Sequence, residues 1–161
     1  MRMELIQPFL NAADAVLAET LACPVTVSDI SMDEEAYRRR ATAVQIEISG
    51  DIMGRVIFDV EDGAAMRVAS TISGSPELAH DPQMIRETVA ELANLVIGNA
   101  VTALNDQGFR FKVHPPVEHP SDHGFRGSEE SEALVMEFAS EAGAVVVNIS
   151  MRYNRRRRAD G

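Results

Sequence analysis

The sequence predicts an α+β fold, an antiparallel sheet covered by helices, in the order αβββααβββ. Three observations carry that prediction. Residues 3–22, 62–72 and 84–106 repeat apolar side chains at helical spacing. Six shorter segments alternate apolar and polar residues, the period of a strand. Four of those segments pair up across short turns as hairpins, the pattern of an antiparallel sheet rather than of βαβ units.

The first helix places Leu5, Ile6, Phe9, Leu10, Ala13, Val16, Leu17 and Leu21 on one face and is stopped by Pro24. Residues 25–30 alternate as a short strand. Thr42–Ser49 alternates more cleanly, with Val44, Ile46 and Ile48 on one side. Gly50-Asp51 reads as the turn of a hairpin whose second arm is 54–60. Asp62 is placed to cap the second helix, which runs through Ile72 and closes at Gly74. Residues 76–82 lie between two prolines and read as a linker. The third helix, 84–106, is the longest periodic segment and ends before Gly108. Phe109–Val113 is a strand halted by Pro115 and Pro116, and 118–131 is a polar loop. Residues 133–139 and 145–153 form a second hairpin around Glu141-Ala-Gly143. No internal repeat is legible.

At 161 residues the chain fits one domain, taken as 1–153, followed by a basic disordered tail over 154–161. A chain of this mass can bury roughly 69% of its unfolded surface, enough for a core without covalent staples. Cys23 is the single cysteine, which excludes an internal disulfide and a cysteine-based zinc knuckle. The net charge is −10, and removing Arg155–Arg158 with Asp160 leaves residues 1–154 at −13. Such a body repels phosphate backbones and anionic lipid, so neither nucleic acid nor membrane is an expected partner. The four arginines read as a solvated end, with a nucleic-acid tether as the alternative. Leu21-Ala-Cys23 has the form of a lipoprotein cleavage site, but Asp14 and Glu19 interrupt the apolar run it needs. A cytoplasmic location is expected.

On a wheel of about 100° per residue, Ile85, Val89, Leu92, Val96, Ala100 and Ala103 fall in one arc of the third helix, with Ala93 and Leu104 at its edge. That arc must face the sheet. Opposite it lie Glu87, Glu91, Asn94, Gly98 and Asn105. Glu91 and Asn94 are three apart, hence neighbours on the helix surface. Gly98 lies four beyond Asn94, so no side chain screens the amide. A mid-helix glycine costs roughly 1 kcal/mol against alanine, which fits either close packing or a surface cleared for contact. Wheel geometry alone leaves both readings open, an ordinary wet face or a site.

Glu91-Leu-Ala-Asn94-Leu-Val-Ile-Gly98 resembles the signature helix of the CheC/CheX family, an acid three residues before an asparagine with a glycine four further on. Pro8-Phe9-Leu10 in the first helix, Gly54-Arg-Val-Ile-Phe58 before an alanine-rich helix, and Val113-His-Pro-Pro-Val117 are similar to flanking blocks of that family. The ordered set spans most of the chain. His114 departs from it, standing where the family commonly has serine. The first helix offers only Asn11-Ala-Ala-Asp14, the inverted order, and a single site favours CheX over CheC.

The resemblance implies a phosphatase acting on the aspartyl phosphate of a CheY-type response regulator. Catalytic roles fall to Glu91 and Asn94, and partner binding to Glu87, Glu91 and Gly98. It implies no cofactor of the chain's own, because the partner receiver domain supplies Mg2+. It also implies a homodimer built through strands. The alternative is a receiver-binding module of the same fold that does not hydrolyse.

Other chemistry finds less support. His114, His119 and His123 with Glu118 and Asp122 could hold a metal, but no helix sets the imidazoles on one side, and a solvated loop is the expectation. No Gly-x-Ser-x-Gly elbow, P-loop or Gly-x-Gly-x-x-Gly is present.

Overall fold

The helical periods of the sequence become α1 (Met3–Leu21), α2 (Asp62–Ser73) and α3 (Pro82–Asp106). The alternating segments become β1 (Thr26–Asp33), β2 (Thr42–Gly50), β3 (Ile52–Val60), β4 (Phe111–Val113), β5 (Val117–Glu118), β6 (Ala133–Ser140) and β7 (Gly143–Tyr153). The computed structural model describes residues 3–33, 40–74, 81–118 and 133–154. The strands form one antiparallel sheet ordered β1-β6-β7-β3-β2-β4, with β5 also paired to β2. The expected α+β class and hairpins are present, and β5 is an addition to the expected order. It takes Glu118 out of the predicted loop, pairing Val117 with Gln45 and Glu118 with Val44.

Each helix is fixed by the face it buries. Phe9, Leu5, Ile6, Ala13 and Leu17 of α1 join Val89, Leu92, Ala93, Val96 and Ala100 of α3 in one core over the sheet, where they meet Ile46, Val56, Phe58, Val147 and Ile149. Burying one such large aliphatic or aromatic side chain contributes about 1.5–3 kcal/mol. α1 closes at Ala22, whose φ of 54° leaves the right-handed helix before Cys23 and Pro24. At the end of α2, Gly74 takes φ 70° and its N–H bonds to the Ser70 carbonyl, a left-handed cap that glycine adopts without strain.

Several boundaries differ from the expectation; β3 and β7 each start two residues early, at Ile52 and Gly143, and four others have a local reason. The N-cap of α2 is Glu61, not Asp62: its backbone is extended, its carbonyl accepts from the Ala65 N–H at 2.9 Å, and its carboxylate accepts from the Ala144 N–H at 3.0 Å rather than capping the helix. α3 begins at Pro82, not Met84. Asp81 accepts from the Gln83 N–H at 3.0 Å, and proline at the first helical position lacks an N–H that would be orphaned anyway. β4 begins at Phe111, not Phe109, because Phe109 is held by the α3 C-terminus, its N–H on the Leu104 carbonyl at 3.2 Å. β1 continues to Asp33, its register with β6 unbroken from Asp29 onward.

The sheet order reveals a repeat invisible as sequence. Helix, edge strand and hairpin recur as α1, β1, β2–β3 and as α3, β4, β6–β7, and each edge strand pairs with the other half's hairpin. The two halves meet at β3 and β7, aligned from Ile52↔Tyr153 to Val60↔Val145. α1 and α3 are therefore topological equivalents.

The outer face of the sheet carries Ala43, Ile57 and Val146, with Val135 against them. Beside them Gln45, Arg55, Asp59 and Asn148 are buried as well. Arg55 Nη1 donates to Asn148 Oδ1 at 3.0 Å, and burial pushes the Arg55 guanidinium pKa below its usual value.

Candidate functional site

α3 packs against α1, α2 and β2, and α1 and α2 also touch each other. Its buried residues, Thr88, Val89, Leu92, Ala93, Val96, Ile97, Ala100 and Leu104, fix its rotation about its own axis. Ala103 and Ile85, assigned to the same arc from sequence, are half-buried at its margin. The opposite strip holds Glu87, Glu91, Asn94, Gly98 and Asn105, all exposed.

Glu91 and Asn94 stand one turn apart, about 4.5 Å along the helix axis. Among the described residues neither makes a side-chain hydrogen bond or an ion pair, so carboxylate and amide both face solvent with their valences open. Glu87 accepts from Gln83 Nε2 at 3.2 Å and carries the acidic strip one turn further back. A Cβ built at Gly98 meets nothing within 4 Å, so the glycine leaves open space beside Asn94 rather than accommodating a neighbour. Its carbonyl takes a second bond from Thr102 Oγ1 at 3.0 Å.

Leu95, absent from the sequence-based site, is 39% exposed beside Asn94 and one turn from Glu91. It lies about 100° round the helix from the amide, and its signal in the sequence was an apolar residue off the buried arc. On the α1 side of α3 an open groove of about 490 Å3 is lined by Gln7, Asn11, Ala15, Asn99 and Gln107. Asn11 and Asp14 of α1 are exposed in their inverted order, and Asn11 accepts from Gln7 Nε2 at 2.9 Å.

The histidine reading divides. His114 shares a hydrogen bond with Ser49 Oγ through Nε2 at 2.9 Å, and its N–H bonds to the Glu47 carbonyl. His119, Asp122 and His123 lie outside the described residues, as do Arg155–Arg158. Among the described residues no group of three His, Cys, Asp or Glu is placed to hold a metal ion. None of the described helices is long and apolar enough to cross a membrane.

The acid and the amide are thus exposed on one face of a helix, with bare backbone at Gly98 beyond them, on an α+β scaffold. The chemotaxis phosphatase CheX family matches residues 42–139, more than half of the sequence, and the chain belongs to that family. It is similar in structure to the CheX–CheY–BeF3–Mg2+ complex from Borrelia burgdorferi. That match has 30% identity, covers 94% of this chain and 99% of that one, and has a TM-score of 0.64. Chemotaxis protein CheX from Vibrio vulnificus shares the fold at 23% identity, with 92% and 99% coverage and a TM-score of 0.76. A CheC-like superfamily protein from a Shewanella species, PV-4, does so at 20% identity, 94% and 99% coverage and 0.80. No curated protein sequence matches the chain.

Proposed function

We propose that the chain is a phosphatase that hydrolyses the aspartyl phosphate of a CheY-type receiver domain, with the α3 strip as its catalytic face. The observation that carries this reading is the unengaged Asn94 amide, exposed one turn from an equally unengaged Glu91 and bordered by Gly98. Support comes from the family, described as a chemotaxis phosphatase, and from the Borrelia CheX seen together with CheY, BeF3 and Mg2+.

An acyl phosphate is already activated, so the barrier lies mostly in placing a water in line with the scissile P–O bond. Asn94 Oδ1 accepts a hydrogen bond from that water, while its NH2 donates nearby, and neither adds negative charge beside the phosphoryl oxygens. The water oxygen bonds to phosphorus as the P–O bond to the aspartyl carboxylate breaks. Inorganic phosphate and the free carboxylate leave, and the water's second proton passes to phosphate or solvent. Glu91 accepts from the receiver's active-site lysine, which anchors the complex and sets the angle of the amide. Glu87 and Gly98 complete the docking surface. The Mg2+ that neutralises the phosphoryl oxygens belongs to the receiver.

The chain would act as a homodimer joined through β1. This edge strand exposes Val27, Ile30 and Met32 at 41%, 53% and 51%, and among the described residues it pairs only with β6, an edge of the kind that recruits a second strand. β1 lies at the edge opposite β2 and β4, so pairing there leaves α3 uncovered.

The test is phosphate release from phosphorylated receiver domains with and without the protein, and with Asn94→Ala. Wild type should accelerate release, and the variant should lose at least about 100-fold, roughly 2.7 kcal/mol of transition-state positioning. Equal rates with and without Asn94 would remove the amide from the mechanism. A receiver that binds without faster release would identify a non-catalytic binding module.

A further inference from the structure

We infer that the receiver seats to one side of Asn94, over the groove between α3 and α1, and that the part of it lying there carries lysine or arginine. The inference rests on the reading above and deepens it, naming the flank of α3 that is covered and the charge of what covers it.

The exposed surface of α3 is lopsided about the amide. From Asn94, the exposed residues Gly98, Glu91, Thr102, Leu95 and Asn99 follow round the helix at roughly 40°, 60°, 80°, 100° and 140°. In the other direction Val101, Ala90 and Ile97 come within roughly 20° to 60°, and all three pack on the core, Ile97 at 2% exposure. Open helix surface continuous with the amide thus extends toward Asn99 and not the other way. Leu95, 39% exposed, lies on that path and is its apolar contact.

The groove begins at Asn99. With Ala103 and Gln107 this residue forms the α3 wall of the opening of about 490 Å3, and Gln7, Asn11 and Ala15 form the α1 wall. Asn99 and Gln107 make no side-chain hydrogen bond among the described residues, while Gln7 and Asn11 bond to each other and keep further donors and acceptors. At the far end Glu4 hydrogen-bonds Tyr153, whose ring stacks on Phe109 with centroids 5.8 Å apart, which ties α1 to the end of α3. The dimensions agree. A standard interface covers about 800 Å2 on each partner, a disc of about 16 Å radius. Asn99 and Ala103 stand about 7.5 and 13.5 Å from Asn94 along the helix axis, inside that radius.

Charge names the occupant. The exposed acids of α1 and α3 are Glu4, Asp14, Glu19, Glu87, Glu91 and Asp106. From Met3 to Leu21, α1 has no basic residue, and the one on α3, Arg86, lies about 140° round the helix from Glu91. A face of this sign draws in lysine or arginine and repels an acidic segment. The phosphoryl group is itself anionic, so attraction must come from the receiver surface beside it, and the groove is where that surface lands.

The test places single charges in the full chain. Asn99→Lys and Asn11→Lys put a cation in the groove, Asn99→Asp an anion, and Val117→Lys a cation on the outer face of the sheet, in register with Gln45 and 56% exposed. Affinity for a BeF3-loaded receiver and phosphate release from the phosphorylated one are measured at low salt. Both groove lysines should weaken binding about tenfold, with the loss in release carried by KM. Asn99→Asp should bind about twofold tighter, and Val117→Lys should change affinity by less than twofold. Equal losses for all three lysines would reduce the effect to net charge and overturn the proposal, as would unchanged affinity for the groove variants. A loss in Asn99→Asp as large as in Asn99→Lys would exclude a basic occupant and overturn it too. So would a changed sedimentation coefficient at constant receiver affinity, which would make the groove a contact between copies of this chain. A receiver that binds with the expected pattern yet releases phosphate no faster would refute hydrolysis and uphold the seating.

Discussion

Gly98 separates the two meanings of a mid-helix glycine, and its substitution should move stability and function in opposite directions. A Cβ at this position meets nothing within 4 Å, and the residue is not among those with positive φ. Gly98→Ala therefore leaves the packing of the fold intact and gains the helix propensity that glycine forgoes, about 0.8–1 kcal/mol. For a chain of this size that is a rise in Tm of roughly 2–4 °C. Gly98→Leu keeps most of the gain, since leucine ranks close to alanine in helices. It also sets a branched side chain beside Asn94, where the receiver's backbone is expected to approach.

Overfilling a close-packed interface costs about 1–3 kcal/mol, which corresponds to a loss of roughly 5- to 150-fold in kcat/KM. Thermal melting and phosphate release on the same preparations read the two effects. A Gly98→Leu protein that melts higher yet turns over at the wild-type rate would show that no partner covers this part of α3. A fall in Tm for Gly98→Ala would show that the glycine is packed after all, and the open-surface argument would go with it.

Glu91→Ala should weaken receiver binding about tenfold or more and raise KM. A variant that lowers only kcat at constant KM would contradict the anchoring role. Ile30→Lys with Met32→Glu on β1 should leave the melting temperature within about 2 °C, because both side chains are exposed, and should convert a dimer to a monomer in sedimentation experiments. An unchanged sedimentation coefficient would clear β1 of the interface. Gly54→Ala should destabilise by several kcal/mol, because a Cβ there falls 2.0 Å from the Ser150 carbonyl oxygen at φ 153°. A variant with wild-type Tm would refute that account of the β3–β7 pairing.

The helices were legible because each has one face buried on a common core, and burial writes a period near 3.6 into the chain. The outer face of the sheet was not. Gln45, Arg55, Asp59 and Asn148 alternate with apolar residues as solvent-facing positions do, yet all four are buried, Asn148 completely. Alternation reports which side of a strand a residue occupies, not whether that side is wet. The twofold arrangement of the halves was hidden for a related reason. Equivalent positions in α1 and α3 need only match in burial, so Leu5 can stand for one aliphatic and Val89 for another without shared identity.

The exposure of the proposed site was legible to the degree that packing fixes it. Leu92 is 1% exposed and Ala93 0%, and they flank the turn that carries Glu91 and Asn94 outward. Turning α3 by a single residue would rotate it about 100°, driving the Asn94 amide into the buried place of Ala93 and Leu92 into the exposed place of Glu91. Burying an amide without a partner costs about 1–3 kcal/mol, and exposing the apolar face adds to that cost. The aim of the amide is thus enforced by residues buried beneath it. Leu95 was passed over because one apolar residue off the buried arc is a weak signal on a surface that tolerates many such residues. Which receiver would dock on α3 in the proposed function depends on a second surface, and this sequence supplies only what α3 exposes: two carboxylates, one amide, one leucine and a length of bare backbone.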